Sequence, residues 1–344
     1  MKDRGVYRTL LRPLLFQLDP ETAHHLAMSA LGSAGRTPLM LRTLRRFQPP
    51  PTPMTVFGLT FPNRIGLAAG FDKNGLALPA WCAMGFGFIE IGTVTAKPQP
   101  GNARPRIFRY PEQKALINRL GFNNDGADVV ANRLRQCQES GGWPEVPVGI
   151  NIGKSKVVEI SEAASDYLHS FRRLQRYADY VVLNVSSPNT PGLRALQDAE
   201  LLANLLQAVQ EENRMQKPIV VKIAPDLTAA ALNEIIAVCV NNSVAAIIAT
   251  NTTTDHGPIP LDRDQAGGLS GAPLRAKSTE VIRRITSSCE IPVIGCGGII
   301  DGISAREKIE AGASLVQIYT GLVYRGPGLL REIAAAFADL PDTQ

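Results

Sequence analysis

Eight short apolar runs rich in β-branched residues recur between residues 63 and 320, most of them separated by stretches with helical patterning. They are NRIGLAA (63–69), GFIEIGT (87–93), PVGINIG (147–153), YVVLNVS (180–186), PIVVKIA (218–224), AAIIATN (245–251), PVIGCGG (292–298) and SLVQIYT (314–320). Runs of this length and composition read as buried strands, and DAELLANLLQAVQEEN (198–213) and STEVIRRITSS (278–288) read as helices between them. Strands that alternate with helices pair in parallel, and eight such units close into a (β/α)8 TIM barrel, an α/β fold. The length agrees, because 344 residues are too many for one compact domain unless that domain is a barrel. Ahead of the runs, MTVFGLTF (54–61), with Gly58 at its turn, is expected to form a hairpin closing the barrel floor.

Such a barrel carries its active site at the C-terminal ends of its strands, so polar residues should gather there. They do. Lys73 follows the first run, Thr93 and Thr95 end the second, Asn151 sits on the third, and Asn184 and Ser187 end the fourth. Lys222 lies on the fifth, and Thr250, Asn251 and Thr252 end the sixth. Gly295-Cys296-Gly297-Gly298 ends the seventh and Tyr319-Thr320-Gly321 the eighth. Glycines after strands seven and eight expose backbone N–H groups to an anion, which points to a phosphorylated cofactor.

Lys222 lies within the apolar run IVVKIA, where a lysine is costly without an anionic partner. It is either half of a salt bridge inside the barrel or a cation at the polar edge of a flavin. Ala68, Ala69 and Gly70 would let a flat ring approach the backbone, and Thr93, Asn151 and Asn184 could serve its polar edge. The Gly-x-Gly-x-x-Gly fingerprint of a nicotinamide site is missing after any strand, so bound flavin is the expected hydride carrier. The loop NVSSPNTPGLR (184–194) is stiffened by Pro188 and Pro191 and loaded with hydroxyls and amides. It suits a small polar ligand, with a Ser/Asn/Pro turn devoid of chemistry as the alternative.

The net charge of +5 is localised. Residues 1–47 hold eight of the 36 basic residues (Lys2, Arg4, Arg8, Arg12, Arg36, Arg42, Arg45, Arg46) and three of the 31 acidic ones (Asp3, Asp19, Glu21), so the rest balances. A nucleic-acid enzyme would spread basic charge over its main domain, and no nucleic-acid partner is expected. The segment reads as helical: Val6, Tyr7, Leu10, Leu11, Leu14, Leu15 and Leu18 recur at helical spacing. Asp19-Pro20-Glu21 has the form of an N-cap, a first-position proline and a first-turn acid, and PLMLRTLRRF (38–47) is a third basic, apolar piece. No apolar run approaches the ~18 residues that span a bilayer. Short basic amphipathic helices suit an anionic membrane surface, and a helical cap packed on the barrel is the other reading. PPPTP (49–53) reads as a semi-rigid linker, which separates a helical segment, 1–47, from a barrel domain, 48–344. Five cysteines without a Cys-x-x-Cys pair and four histidines without a ligand pattern suggest neither disulfides nor a metal centre, and fit a reducing cytoplasm.

Taken together, AAGFDKNG (68–75), GFGFIEIGTVTAKPQPGNARPRIFR (85–109), NRLGFNN (118–124), GINIGK (149–154), NVSSPNTPGLR (184–194), VKIAPDL (221–227), ATNTT (249–253), GGLSGAPL (267–274) and GASLVQIYTG (312–321) closely resemble the quinone-dependent (class 2) dihydroorotate dehydrogenases. The resemblance runs over essentially the whole chain, DPETAH (19–24) included. It implies an FMN enzyme that oxidises dihydroorotate to orotate in pyrimidine synthesis and passes electrons to ubiquinone or menaquinone. By motif, it implies FMN against Ala69, Gly70, Phe71, Asp72, Lys73, Thr93, Asn151, Asn184, Lys222 and Thr250, with the phosphate against Gly271, Gly298, Tyr319 and Thr320. Dihydroorotate is implied against Lys73, Asn118, Arg119, Leu120, Gly121, Phe122, Asn184, Asn189, Asn251 and Thr252. Asparagines suit a ligand with several amide and carbonyl groups, and Lys73 suits its carboxylate.

The resemblance makes Ser187 the base for the C5 proton, with Thr190 and the backbone around Phe122 holding a water that relays that proton outward. Soluble classes of the family have cysteine at this position, so the serine and the extension both favour the quinone class. The quinone head group is implied near His24, Ile107, Arg109 and Tyr319. Rival readings are a soluble dihydroorotate dehydrogenase using fumarate or NAD, a flavin barrel that reduces uridines in RNA, and a non-catalytic flavin scaffold. The expected setting is the cytoplasmic face of a bacterial inner membrane, with the chain a peripheral monomer held by residues 1–47.

Overall fold

The computed structural model describes residues 5–339, so Lys2, Asp3 and Arg4 of the basic segment lie outside the described residues. A π-helical turn, Tyr7–Leu11, leads into α1 (Arg12–Gln17), followed by α2 (Pro20–Ala34) and α3 (Pro38–Leu44). Asp19 caps α2 as expected: one carboxylate oxygen accepts from the N–H of Glu21 at 3.1 Å and of Thr22 at 2.9 Å. The apolar stripe of the first helix is turned outward, with Val6 66% and Leu14 61% exposed, and Leu39 on α3 is 73% exposed. Met28, Leu31, Leu44 and Phe47 pack the rest of the segment on the barrel core, and polar contacts add to the docking. Tyr7 Oη donates to the Val323 carbonyl at 2.6 Å, and Arg12 donates to that of Tyr324 at 3.1 Å. Buried Glu21 pairs with buried Arg106 at 2.7 Å.

After the extended PPPTP stretch, β1 (Met54–Val56) and β2 (Leu59–Phe61) form the expected antiparallel hairpin. Its two turn residues, Phe57 and Gly58, both have positive φ, which matches the right-handed twist of a tight hairpin. The chain then supplies β3 (Ile65–Leu67), β4 (Phe88–Val94), β5 (Ile107–Tyr110), β6 (Ala115–Asn118), β7 (Val148–Ile152), β8 (Tyr180–Asn184) and β9 (Ile219–Ile223). The last four strands are β10 (Ala246–Ala249), β11 (Gly268–Gly271), β12 (Val293–Cys296) and β13 (Leu315–Ile318). β3, β4, β7, β8, β9, β10, β12 and β13 close a parallel barrel, one strand from each of the eight runs. Helices α4 (Leu78–Met84), α5 (Ala127–Glu139), α6 (Ala163–Leu174), α7 (Ala199–Glu212), α8 (Ala229–Asn241), α9 (Arg275–Ser288), α10 (Gly302–Glu310), α11 (Thr320–Arg325) and α12 (Leu329–Phe337) complete the order.

Alternation along each strand divides the core. Ile89 and Ile91 on β4, Val181 and Leu183 on β8, and Val221 on β9 face the helices. Phe88, Tyr180, Val182, Val220 and Ile248 face inward and meet Val56 and Phe61 of the hairpin. Phe61 is fully buried, edge-on to Phe57 at 5.5 Å and Phe88 at 5.3 Å, so the hairpin plugs the floor. Two inward positions are glycine because their neighbours are large. A Cβ on Gly66 would come within 2.2 Å of the Phe88 ring, and one on Gly149 within 2.1 Å of the Tyr180 ring.

One element lies outside the sequence-based expectations. β5, β6 and β11 form a three-stranded antiparallel sheet, with Asn118 opposite Gly268 and Ala115 opposite Gly271. Each strand is four residues long and its alternation signal is correspondingly weak, while the β6–β11 pairing spans about 150 residues of chain. Phe61→Ala should cost about 3–5 kcal/mol through the cavity it leaves. In urea titration the midpoint is expected to fall with the slope unchanged.

Candidate active site

A cavity of about 1060 Å³, counted to its open mouth, lies at the C-terminal ends of the barrel strands. It is concave and lined by both apolar side chains and convergent polar groups, as small-molecule sites are. Strand ends supply its lower part and the β5–β6–β11 sheet one wall, through Ile107, Leu116, Asn118, Ser270 and Gly271.

The polar floor is built on a buried carboxylate. Glu90 on β4 points into the barrel, accepting from Asn151 Nδ2 at 2.9 Å on one oxygen and from Gln317 Nε2 on the other. With its N–H so engaged, Asn151 turns Oδ1 towards Thr93, whose hydroxyl donates to it at 2.6 Å. Asn184 Nδ2 donates to Thr93 Oγ1 at 2.9 Å and to Asn151 Oδ1 at 3.2 Å, and Asn251 Nδ2 donates to Asn184 Oδ1 at 3.3 Å. Lys222 Nζ stands 4.0 Å from Glu90 Oε1, makes no hydrogen bond among the described residues, and faces the cavity. Both readings of Lys222 therefore meet in one place: a long ion pair below and a free donor above.

Ser187 also faces this cavity, in the loop after β8. Its Oγ accepts from the Asn189 N–H at 3.2 Å, and its own proton has no acceptor among the described residues. Asn189 Nδ2 donates to the Asn118 carbonyl at 3.0 Å, joining the Ser187 loop to β6. Arg194 ties the same loop to the neighbouring one. Its Nε donates to the Ser186 carbonyl, one terminal nitrogen to the Thr252 carbonyl and the other to Asp226 Oδ2, each at 3.1 Å.

Of the residues expected around a flavin, Ala69, Gly70, Lys73, Thr93, Asn184, Lys222 and Thr250 line the cavity, as do Gly271, Gly298, Tyr319 and Thr320 of the phosphate set. Gly271 and Gly298 have φ of +95° and +76°, and a Cβ on either would come within 2.2 Å of backbone. Chain packing thus demands glycine there, and the N–H of Gly298 donates to nothing among the described protein groups. An unbonded Lys222 amine, an unbonded N–H on a glycine loop and a bed of oriented amides fit a phosphorylated flavin. Asn118, Leu120, Gly121, Phe122, Asn189, Asn251 and Thr252 of the second set line the cavity too.

Other expected residues stand behind the lining. Asp72 is buried and accepts from the N–H groups of Leu76 and Ala77 and from Trp81 Nε1, which fixes the Lys73 loop on α4. Asn151 acts through Thr93 and Asn184. Arg119 lies over the Phe108 ring at 4.8 Å and donates to the Pro105 carbonyl, away from the cavity. Thr190 is buried with Oγ1 unpartnered. His24, on α2, packs on Phe71 at 5.4 Å, and Phe71 packs on Tyr319 at 5.1 Å. Desolvation, and then the Lys73 charge, pushes the His24 imidazole down to about 3, so it is neutral. Arg109 lies over Phe16 at 4.6 Å and donates to the Leu18 carbonyl at 2.9 Å. Ile107 and Tyr319 line the cavity. Glu90, Gln317, Arg194 and Asp226 were not singled out from sequence, although the alternation that exposes Lys222 applies equally to Glu90 in FIEIG.

A family model described as dihydroorotate dehydrogenase matches residues 52–340. Proteins named dihydroorotate dehydrogenase (quinone) from Chloroflexus aurantiacus and Gloeobacter violaceus are each 50% identical to this chain; the alignments cover 96% and 97% of it and 95% and 94% of those proteins. One of the same name from Methylococcus capsulatus is 48% identical over 97% of this chain and 100% of its own. A crystal structure of DHODH in complex with ferulenol from Eimeria tenella superposes with a TM-score of 0.84 at 38% identity, covering 93% of this chain and 90% of that one.

Lys73 generates a pH prediction. Desolvation brings its pKa down to about 8, opposed by Glu21 and Asp72 and assisted by Arg106. It is cationic below that pH and neutral above it, so a small carboxylate held against it should lose affinity as pH rises past about 8. The expected slope is about tenfold per pH unit, read by ligand titration, and Lys73→Met should flatten it.

Proposed function

The chain belongs to the dihydroorotate dehydrogenase family, and on that premise we propose that its barrel mouth holds FMN and dihydroorotate together, with Ser187 as the base. The reaction is the oxidation of dihydroorotate to orotate in pyrimidine biosynthesis, with a quinone as final acceptor. One observation carries the reading: Ser187, with an uncommitted hydroxyl proton, shares one cavity with the Lys222 and Gly298 donors.

Bound FMN would supply the acceptor for the hydride leaving C6 of the substrate. The residues do the rest. Lys222 contributes a fixed positive charge, and Thr93, Asn184 and Thr250 hold the cofactor's polar edge. Gly271, Gly298, Tyr319 and Thr320 hold the phosphate. Lys73 pairs with the substrate carboxylate, while Asn118, Asn184, Asn189, Asn251 and Thr252 fix the ring through amide and hydroxyl hydrogen bonds. Ser187 Oγ takes the C5 proton as C6 loses hydride, so H⁺ and H⁻ depart from adjacent carbons and a C=C bond forms. A serine hydroxyl is a weak base and needs an outlet for the proton, which a water held by Thr190 and the backbone around Phe122 would provide.

Residues 1–47 form the membrane-association and quinone-access segment, and 48–344 the catalytic domain. Among the described residues no helix is long and apolar enough to cross a membrane. The exposed Val6, Leu10, Leu14 and Leu39, in a segment with an excess of basic residues, support its lying on an anionic membrane surface. The His24–Phe71–Tyr319 ring series, with Ile107 lining the same cavity as Tyr319 and Arg109 held on Phe16 and Leu18, supports a quinone path from α2 to the cavity.

Ser187→Ala should retain FMN and bind orotate, yet reduce the flavin at least ~100-fold more slowly in anaerobic stopped flow, the usual size of a lost proton transfer. Near-normal reduction would remove Ser187 from the role. A triple change, Leu10→Ser with Leu14→Ser and Leu39→Ser, should leave reduction by dihydroorotate intact. It should abolish cosedimentation with anionic liposomes and slow turnover with long-tailed quinones. Turnover with fumarate or NAD in place of quinone would overturn the quinone assignment.

A further inference from the structure

α10 sends Lys308 back beneath the glycine loop that follows β12. Its ammonium is fully buried and donates to Ser278 Oγ at 2.5 Å, Thr279 Oγ1 at 2.6 Å and the Arg275 carbonyl at 2.8 Å. The hydroxyl hydrogens are already committed: Ser278 donates to the Gly297 carbonyl at 2.8 Å, and Thr279 to the Arg275 carbonyl at 2.8 Å. Both oxygens can therefore only accept. Three acceptors around one nitrogen call for three N–H donors, which is the charged form of lysine.

No carboxylate among the described residues forms an ion pair with it. Its sequence neighbour Glu307 is engaged on both oxygens by the Arg275 side chain. The other groups that face it are the Cys296 thiol from β12 and the cations of Arg275 and Arg283 from α9. Burial pushes the Lys308 pKa down to about 7. The hydrogen bonds select the cation while burial without a counter-charge works against it. An anion on the cavity side would resolve the conflict. Leu274, Gly297 and Gly298 line the cavity, and Gly298 packs so closely on the start of α9 that a Cβ there would lie 2.2 Å from Arg275 Cα.

We propose that Lys308 is the buried counter-charge for the cofactor's phosphate, acting from behind the glycine loop through Ser278 and Gly297, and that it makes the site discriminate FMN from riboflavin. It is a positioning residue and touches no reacting atom. The proposal rests on the flavin reading above, and its test separates the two.

The full-length chain, freed of flavin, is titrated calorimetrically with FMN and with riboflavin, as wild type and as Lys308→Met. The variant should lose about tenfold or more in FMN affinity, the scale of one screened charge interaction, with riboflavin affinity unchanged. A second measurement needs no variant. At pH 8 FMN is already a dianion, since its second phosphate pKa is about 6, whereas burial holds the Lys308 pKa in the free protein down, to about 7. FMN binding should therefore take up protons, revealed by buffers of different ionisation enthalpy, and more of them than riboflavin binding does. Equal weakening of both ligands by Lys308→Met, unchanged FMN affinity, or no proton uptake by the wild type would each overturn the proposal. If the variant fails to fold, the wild-type proton count decides alone. A wild type that binds neither flavin would refute the cofactor reading itself.

Discussion

Glu90 is buried inside the barrel with both carboxylate oxygens accepting from amide N–H groups, and the polar floor of the site follows from that fact. An amide side chain has two unlike ends, and a buried one is fixed by whichever end is engaged first. Glu90 engages the N–H end of Asn151, so the carbonyl end is left for Thr93 and Asn184, and Asn251 is aligned in turn. Lys222 is placed at the limit of ion pairing with the same carboxylate. A fully paired lysine would be a structural salt bridge, with no donor left for a ligand. The 4.0 Å separation lets the charge be compensated from below and used from above.

Coupling between the helical segment and the barrel rests on a second buried pair. Glu21 at the start of α2 meets Arg106, whose other donors hold the Pro100 and Asn102 carbonyls at 2.6 and 2.8 Å. The Asn102 amide then donates to the Asn189 carbonyl at 3.2 Å, in the loop that carries Ser187. A continuous set of polar contacts thus joins α2 to the loop that carries Ser187. Breaking one side of such a pair leaves a buried charge uncompensated and typically costs ~3–5 kcal/mol. The segment is consequently anchored at Glu21 while Leu10, Leu14 and Leu39 stay exposed, which combines the two sequence-level readings of a barrel cap and a surface-active helix.

Much of the site was legible because strand ends are local. Lys73, Thr93, Asn184, Ser187, Lys222, Thr250 and Asn251 follow or end apolar runs, and barrel geometry brings such positions to one mouth whatever the helices between them do. Asp72, Arg119 and Asn151 belong to the same motifs yet stand behind the lining, since a motif marks a stretch of chain and not the direction of each side chain. Arg194 and Asp226 escaped notice for a related reason. Arg194 acts by holding carbonyls of two loops, Ser186 and Thr252, 66 residues apart in sequence, and nothing in the chain's composition announces that contact.

By itself the sequence determined the barrel, its hairpin plug and the inventory of polar groups at its mouth. Period-two alternation, strand length and caps are properties of neighbouring residues. Tertiary structure alone decided which face of the first helix is wet, how β6 meets β11 across 150 residues, and where Glu90, Arg106 and Lys308 find partners. Those outcomes depend on burial and on contacts between distant segments, and the free energy of a buried charge has no value until the groups around it are in place.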